Sequence, residues 1–284
     1  NKGGQAMKKV KNIPKPTEQD REAVRFLVRV REDFQGMRKR IDNRTGMKAD
    51  GTPQNVAERS IRVEDVAMFS AVRDAAHEQE KAIEKNLKKA LERFPIYRDW
   101  LKGVKGVGTI SAGWIIAEYD IHKATTVSKL WQFTGLNPGM VVGKKRIENK
   151  DGSFSFASTG KMIRGDKLTA GFVAPFNKRL RTAMVGVMAD GFIKAQNEYC
   201  MQYYYPYKER LANEDNEVEE ISKAGAKPKS IAWKDAKKAH RDRAAKRYMV
   251  KMFLKDLYVA WRTIEGLPVR EPYAEEYLGR RHAG

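Results

Sequence analysis

From Trp100 to Gly113 the chain reads Trp-Leu-Lys-Gly-Val-Lys-Gly-Val-Gly-Thr-Ile-Ser-Ala-Gly. This spacing predicts a short helix, a hairpin at Gly106-Val107-Gly108 and a second helix opening near Thr109. Glycine lets a backbone turn through positive φ and lets another backbone pass close by. The first amides of a helix have no partner inside it and lie at the positive end of its dipole. A turn so built can receive a phosphate. The amides of Gly106, Val107, Gly108 and Thr109, with Lys102 and Lys105 on the same rim, are thus the first candidate nucleic-acid-binding residues. An ordinary tight turn between two helices, with glycines needed only for packing, is the competing explanation.

Other chemistries find less support. His77, His122, His240 and His282 lie far apart, and Cys200 is the single cysteine. A structural zinc site is therefore not expected, nor an internal disulfide framework, and one cysteine fits a reducing cytoplasm. Glu118, Asp120 and His122 are close in sequence but read as a polar helix end, with Asp120 and Thr125 or Thr126 as caps. Strand cleavage by two-metal chemistry needs clustered carboxylates, and the sequence offers no convincing cluster. No catalytic residue, metal ligand or resident cofactor is assigned; magnesium would enter only if the chain were a recombinase.

The elements that would position these residues follow from charge and periodicity. The 284 residues carry 56 Lys and Arg against 36 Asp and Glu, a formal charge of +20, and 41% are hydrophobic. Such a chain can build a core, and its excess of positive charge points to a polyanion, nucleic acid before an acidic membrane surface. No apolar run is long enough to span a bilayer, and the basic N-terminus lacks the apolar stretch of a secretory signal.

A mainly α fold is expected. Residues 1–16 form a basic tail. Thr17 with Asp20 marks a helix start, after which Leu27, Val30, Phe34, Met37 and Ile41 recur at steps of three and four. Residues 43–58 read as a loop, and a second long helix runs from Ser60 to about Arg93. Its apolar face is marked by Val66, Phe69, Ala76, Ile83, Leu87 and Ala90 and interrupted by Arg73 and Glu80. Acidic residues here, Glu80 and Glu84 among them, look like a solvated face. Residues 17–94 thus form a helical hairpin or coiled-coil arm, either an intramolecular pair or the seam of a homodimer.

Residues 95–140 form the helix-hairpin-helix module, whose second helix buries Ile110, Trp114, Ile115 and Ile116. A short helix over Ser128–Thr134 ends at Gly135-Leu136-Asn137-Pro138-Gly139. Residues 141–172 are a basic insertion arm bearing Lys144, Lys145, Arg146, Lys150, Lys161, Arg164 and Lys167, with a β-hairpin at Asp151-Gly152, a dipeptide that favours the type I′ turn. It is either a mobile arm that nucleic acid could order or a solvated loop.

Residues 173–284 form a C-terminal helical region. Lys178, Arg179 and Arg181 lead a helix over Pro175–Tyr199 with the stripe Leu180, Met184, Val187, Met188 and Phe192. The tyrosine-rich run 199–207 reads as half-buried core, and 213–230 as a linker. A last long helix from about Trp233 to Ile264 presents Lys237, Lys238, Arg241, Arg243, Lys246 and Arg247 at its head and buries Met249, Met252, Phe253, Leu257 and Trp261 beyond. The tail from Gly266 is irregular.

Val104-Lys-Gly-Val-Gly-Thr-Ile-Ser-Ala, Ala117-Glu-Tyr-Asp-Ile and Leu130-Trp-Gln-Phe-Thr-Gly-Leu-Asn-Pro138 together resemble the C-terminal transposase domain of pilin-inversion (Piv-like) recombinases. The insertion-sequence relatives of that family are the RNA-guided bridge recombinases. Asn177-Lys-Arg-Leu-Arg181 is similar to the family's later basic helix start, and the resemblance covers roughly residues 95–195. It implies DNA as the partner and a structured guide RNA beside it. Two departures accompany it. The family's N-terminal RNase-H-like domain, with four metal-binding carboxylates, has no counterpart in the helical residues 1–94. The family's nucleophilic serine falls near Val142-Gly143, leaving Ser158 as a displaced substitute. A DNA-binding protein without autonomous catalysis is expected; an active recombinase using Ser158, or a structural RNA-binding protein, are the alternatives.

Overall fold

Thr17 and Asp20 close a capping box at the start of α1 (Glu18–Thr45): the Asp20 amide donates to Thr17 Oγ1 at 3.2 Å, and the Thr17 amide to Asp20 Oδ2 at 2.9 Å. Gly46 ends the helix at φ 64°, where a left-handed residue satisfies the last carbonyls. The computed structural model describes residues 15–46, 65–220 and 228–270, so the basic tail before residue 15, most of the expected 43–58 loop and the end of the C-terminal tail lie outside the described residues. The chain is mainly helical, with two small antiparallel two-stranded sheets. It divides into two units, 1–98 and 99–284.

In the first unit α1 pairs antiparallel with α2 (Val66–Leu91). Val24 and Val28 of α1 and Ala76, Leu87 and Leu91 of α2 are buried along a narrow seam. Two of the expected stripe residues depart from it: Met37 and Phe69 are exposed, because a lone helix pair covers only one stripe of each surface. Glu80 corrects a second expectation. It is not part of a solvated face but is 2% exposed in the seam, with Arg38 Nε at 2.6 Å and Arg31 Nη2 at 3.5 Å. Arg31 also reaches Glu84 at 2.9 Å, and Arg38 reaches Asp42 at 3.5 Å. The charges that interrupt the apolar pattern are a cross-helix network.

The second unit is built on α9 (Lys238–Ile264), whose Met249, Met252, Phe253, Leu257 and Trp261 are buried as expected. The helix begins at Lys238 rather than Trp233, since Trp233–Asp235 is a separate 3-10 turn. α3 (Pro95–Asp99) closes the first unit; beside α9 in the second lie α4 (Thr109–Glu118) and α5 (Val127–Thr134), the last ending at Gly135 with φ 74°. Arg262, 5% exposed, donates to the carbonyls of Ile121 (2.9 Å) and Ala124 (3.0 Å), and Tyr258 Oη donates to that of Thr125 (2.9 Å). These bonds tie the α4–α5 connection to the far end of α9.

The helix expected over Pro175–Tyr199 is divided. α6 (Lys178–Arg181) runs into a π-helical stretch, Thr182–Met188, and then α7 (Ala189–Ala195), which Gln196 stops at φ 47°. Leu180, Met184, Met188 and Phe192 are buried at steps of four. In an α-helix each such step overshoots one turn by about 40°, so the stripe would wander; the wider π turn brings it back toward one line. The same widening turns Val187, expected in the stripe, out to solvent. A second π stretch, Cys200–Tyr204, leads into α8 (Tyr205–Ala212). The tyrosines of this run pack on α9, with Tyr207 stacked on Tyr248 at 4.4 Å and Tyr199 Oη donating to Asp256 at 2.8 Å.

Two hairpins complete the unit. β1 (Met140–Glu148) pairs with β2 (Phe154–Arg164) from Met140↔Arg164 to Glu148↔Phe154. The turn at Asp151-Gly152 is present, but only Gly152 has positive φ (77°), and its amide donates to Asn149 C=O at 3.0 Å. This is a three-residue loop closed by a left-handed glycine and not type I′, which needs positive φ at both centres. β3 (Glu217–Glu220) pairs with β4 (Lys229–Ala232), where the sequence predicts only a linker. No described helix is long and apolar enough to cross a membrane.

Candidate nucleic-acid interface

The α3–α4 turn has one side sewn to the protein and one open. Gly106 takes φ +92°, and a Cβ there would lie 3.0 Å from the Gly191 carbonyl oxygen and 3.0 Å from the Phe192 ring. A Cβ at Gly191 would lie equally close to the Gly106 carbonyl oxygen, also 3.0 Å. Asn197 Nδ2 donates to Lys105 C=O at 2.9 Å while its Oδ1 accepts the Cys200 amide at 2.9 Å. Two glycines are thus required where α7 passes under the turn.

On the open side Lys102, Lys105 and Gly108 are exposed, and Thr109 is half-buried. Gly108 is the N-cap of α4, in extended conformation and with no side chain to cap the helix. The first bond of α4 runs from the Ala112 amide to Gly108 C=O at 3.0 Å, so the amides of Thr109 and Ile110 have no acceptor within the helix. One predicted donor is corrected: the Val107 amide is spent inside the turn, donating to Val104 C=O at 3.0 Å.

Lys144, Lys145 and Arg146 are exposed on β1. The predicted arm is an ordered ribbon carrying exposed Phe154 and Phe156, with the Arg146 guanidinium 3.3 Å from the centre of the Phe154 ring. Its base is anchored by Gly143, where a Cβ would strike the Phe172 ring at 2.5 Å, and by the Val173 amide donating to Lys144 C=O at 2.8 Å. Ser158 is exposed on β2 opposite Lys144.

The remaining predicted cations divide by use. Lys178 and Arg179 are exposed at the start of α6. Arg241 is turned inward, donating to Lys234 C=O at 2.6 Å and Trp233 C=O at 3.3 Å. Lys246 is held between Asp190 (2.8 Å) and Asp242 (3.0 Å). Arg243 stays exposed. The head of α9 is therefore not a uniform phosphate-facing rod: two of its cations serve the fold.

Arg181 and Arg247, distant in sequence, open onto one cleft of about 440 Å³. Arg164, Lys167, Trp233 and His240 line it too, with Asp166 and the β3 carboxylates Glu217 and Glu219. Arg164 grips Asp166 through two bonds of 2.9 Å, and Lys167 meets Glu219 at 2.8 Å. Arg181 donates to the Asp166 main-chain carbonyl and lies 4.8 Å from the centre of the Phe176 ring. Burial pushes Arg181 and Arg247 below the usual guanidinium range, and for Arg247 the nearby Arg181 adds repulsion. Burial likewise lowers His240, reinforced by Arg247. Nothing local in the sequence marks Trp233 or His240 as neighbours of these arginines; β3–β4 brings them there.

Asn177 links the elements on which the family resemblance rests. Its Oδ1 caps α6 by accepting the Leu180 amide at 3.0 Å, and its Nδ2 donates to Glu118 Oε2 at 2.9 Å. Its amide donates to Phe133 C=O at 2.9 Å, and Gly135 lies against the Phe176 ring, which a Cβ would meet at 2.6 Å. Glu118 is thus a partner of Asn177, and Asp120 accepts the amides of His122 (3.1 Å) and Lys123 (3.3 Å). No group of three His, Cys, Asp or Glu able to hold a metal occurs among the described residues. Comparison with protein-family models finds no match, and comparison with curated protein sequences finds none either.

Proposed function

We propose that this chain binds nucleic acid, DNA in the first place, by gripping the phosphate backbone at the α3–α4 turn, as a relative of the Piv-like transposases acting in the cytoplasm without cleaving strands by itself. The observation that carries this reading is the asymmetry of the turn: its inner side is tied down by Gly191 and Asn197, while Gly108, Lys102 and Lys105 face solvent around an uncapped helix start. Backbone donors and a helix dipole hold a phosphate without reading bases. The β1–β2 ribbon, with Lys144, Lys145 and Arg146, widens the footprint, and a structured guide RNA is a second proposed partner. Self-association through residues 17–94 would double the site.

Anisotropy titrations with duplex, junction and single-stranded DNA and hairpin RNA, repeated across salt, test the reading. Affinity should fall linearly on a log–log salt plot, because each neutralised phosphate releases counterions. Lys102→Ala with Lys105→Ala should lower the slope by about 2 while leaving the melting temperature unchanged. An isotherm indifferent to salt, or a double variant identical to wild type, would overturn it. Magnesium in the same panel reveals cleavage, and nicking abolished by Ser158→Ala would replace this reading with the recombinase one.

A further inference from the structure

Among the described residues, the cleft holds more cations than its own carboxylates can satisfy. Asp166 has both oxygens engaged by Arg164, Glu219 holds Lys167, and Glu217 accepts the Ser230 hydroxyl at 2.6 Å. Glu220 lies 3.6 Å from His240. Arg181 has a main-chain carbonyl and an aromatic face but no carboxylate of its own. Arg247 makes no direct hydrogen bond or ion pair among the described residues and feels the Asp166 carboxylate only through its field. Two partly buried guanidinium groups lining one cleft, close enough for Arg181 to repel Arg247, are costly unless an anion joins them. A phosphate matches them, since its oxygens accept paired bonds from planar guanidinium forks.

The shape of the cleft says which kind of phosphate. Glu217 and Glu219 form one wall, and they would repel a continuous polyanion running across the mouth. A single phosphate group, entering end-on, avoids them. Its volume of about 440 Å³ lies within the range of small-ligand sites. Trp233, whose ring centre is 5.1 Å from that of His240, supplies an aromatic wall on which a base can stack.

We propose that this cleft is a discrete site for a nucleoside phosphomonoester, its phosphate held between Arg181 and Arg247 and its base set against Trp233. The ligand is either a free nucleotide or the 5′-phosphorylated end of a strand. This reassigns Arg181 and Arg247 from the backbone footprint to a separate pocket, and it does not rest on the grip at the α3–α4 turn.

Calorimetric titration of the full chain with AMP, adenosine, and a short oligonucleotide with a 5′-phosphate or a 5′-hydroxyl tests it. AMP should bind at least about tenfold more tightly than adenosine, the contribution expected of charge-assisted bonds to phosphate. Arg247→Met should lose AMP affinity by about tenfold or more while raising the melting temperature of the unliganded protein, because it removes the buried repulsion. That rise separates loss of a site from loss of the fold. Trp233→Leu should weaken AMP but leave inorganic phosphate unaffected. Preference for the 5′-phosphorylated strand over AMP assigns the site to strand ends, and the reverse assigns it to free nucleotides. Equal affinity for AMP and adenosine, or a folded Arg247→Met variant that keeps AMP, overturns the proposal. The Lys102, Lys105 double variant should bind AMP like wild type, so failure at the turn and failure in the cleft are told apart.

Discussion

In the helical arm, Arg31 and Arg38 close on Glu80 across the seam between α1 and α2, with Glu84 and Asp42 completing the pairing. In the cleft of the larger unit, Arg181 and Arg247 share only the field of Asp166, whose carboxylate Arg164 already grips. Both regions take guanidinium groups partly out of water, which is unfavourable unless the charge is matched. The arm supplies the match internally, at a position that fixes how two helices are aligned. The cleft leaves it to something outside the fold. A cationic protein can thus spend arginines on its architecture or hold them for a ligand, and pairing distinguishes the two uses.

The sharpest way to break this contrast is Glu80→Ala. It removes the carboxylate that Arg31 and Arg38 share, leaving them only Glu84 and Asp42, and should destabilise the arm by about 2 kcal/mol in urea unfolding followed by helix signal. A loss under about 1 kcal/mol would mean that water already screens the network and that the arm is no different from the cleft. Arg247→Met, by contrast, should stabilise, so the two substitutions should have opposite signs.

Gly106→Ala comes next. It forces positive φ on an alanine and drives a methyl group into Gly191 and Phe192, which should cost about 2 kcal/mol and lower nucleic-acid affinity with it. Gly108→Ala, at an ordinary φ of −84° and with nothing within 4 Å of the added Cβ, should be tolerated structurally. If both behave alike, the inner side of the turn is not the built side.

The smallest effect is at the arm's start. Thr17→Ala should cost about 1 kcal/mol through loss of the cap. The Thr17 amide, aided by Arg93, holds the Asp20 carboxyl down to about 2. A depressed folded value means that the unfolded chain takes up protons first, so this stabilisation is present above the ordinary carboxylate range and is lost as pH falls toward 2. Asp20→Asn should therefore flatten the acid limb of the stability profile between about pH 4 and pH 2, read by helix signal; an unchanged limb would remove Asp20 from the account.

Local signals were legible wherever a residue acts on its neighbours in the chain. The Thr17–Asp20 box, the end of α5 at Gly135, the glycine turn ahead of α4 and the hairpin at Asp151-Gly152 all rest on contacts a few residues apart. The candidate turn could be located from sequence, yet the engagement of the Val107 amide could not, because a turn's hydrogen bonds depend on its exact dihedrals. Glu80 looked like a flaw in an apolar stripe, since periodicity shows that a charge interrupts a face and not what stands opposite. The β3–β4 hairpin escaped notice because its strands are short, charged and weakly alternating.

By itself, then, the sequence determined a mainly helical chain, the caps at Thr17 and Gly135, and a formal charge of +20. Only the tertiary structure decided which cations remain available. Arg241 and Lys246 are consumed by the fold while Arg181 and Arg247 converge, although all four belong to similar basic runs. The physical reason is range: capping and turn energies act within a few residues, whereas charge pairing depends on which distant segments the packed core brings within a few ångströms.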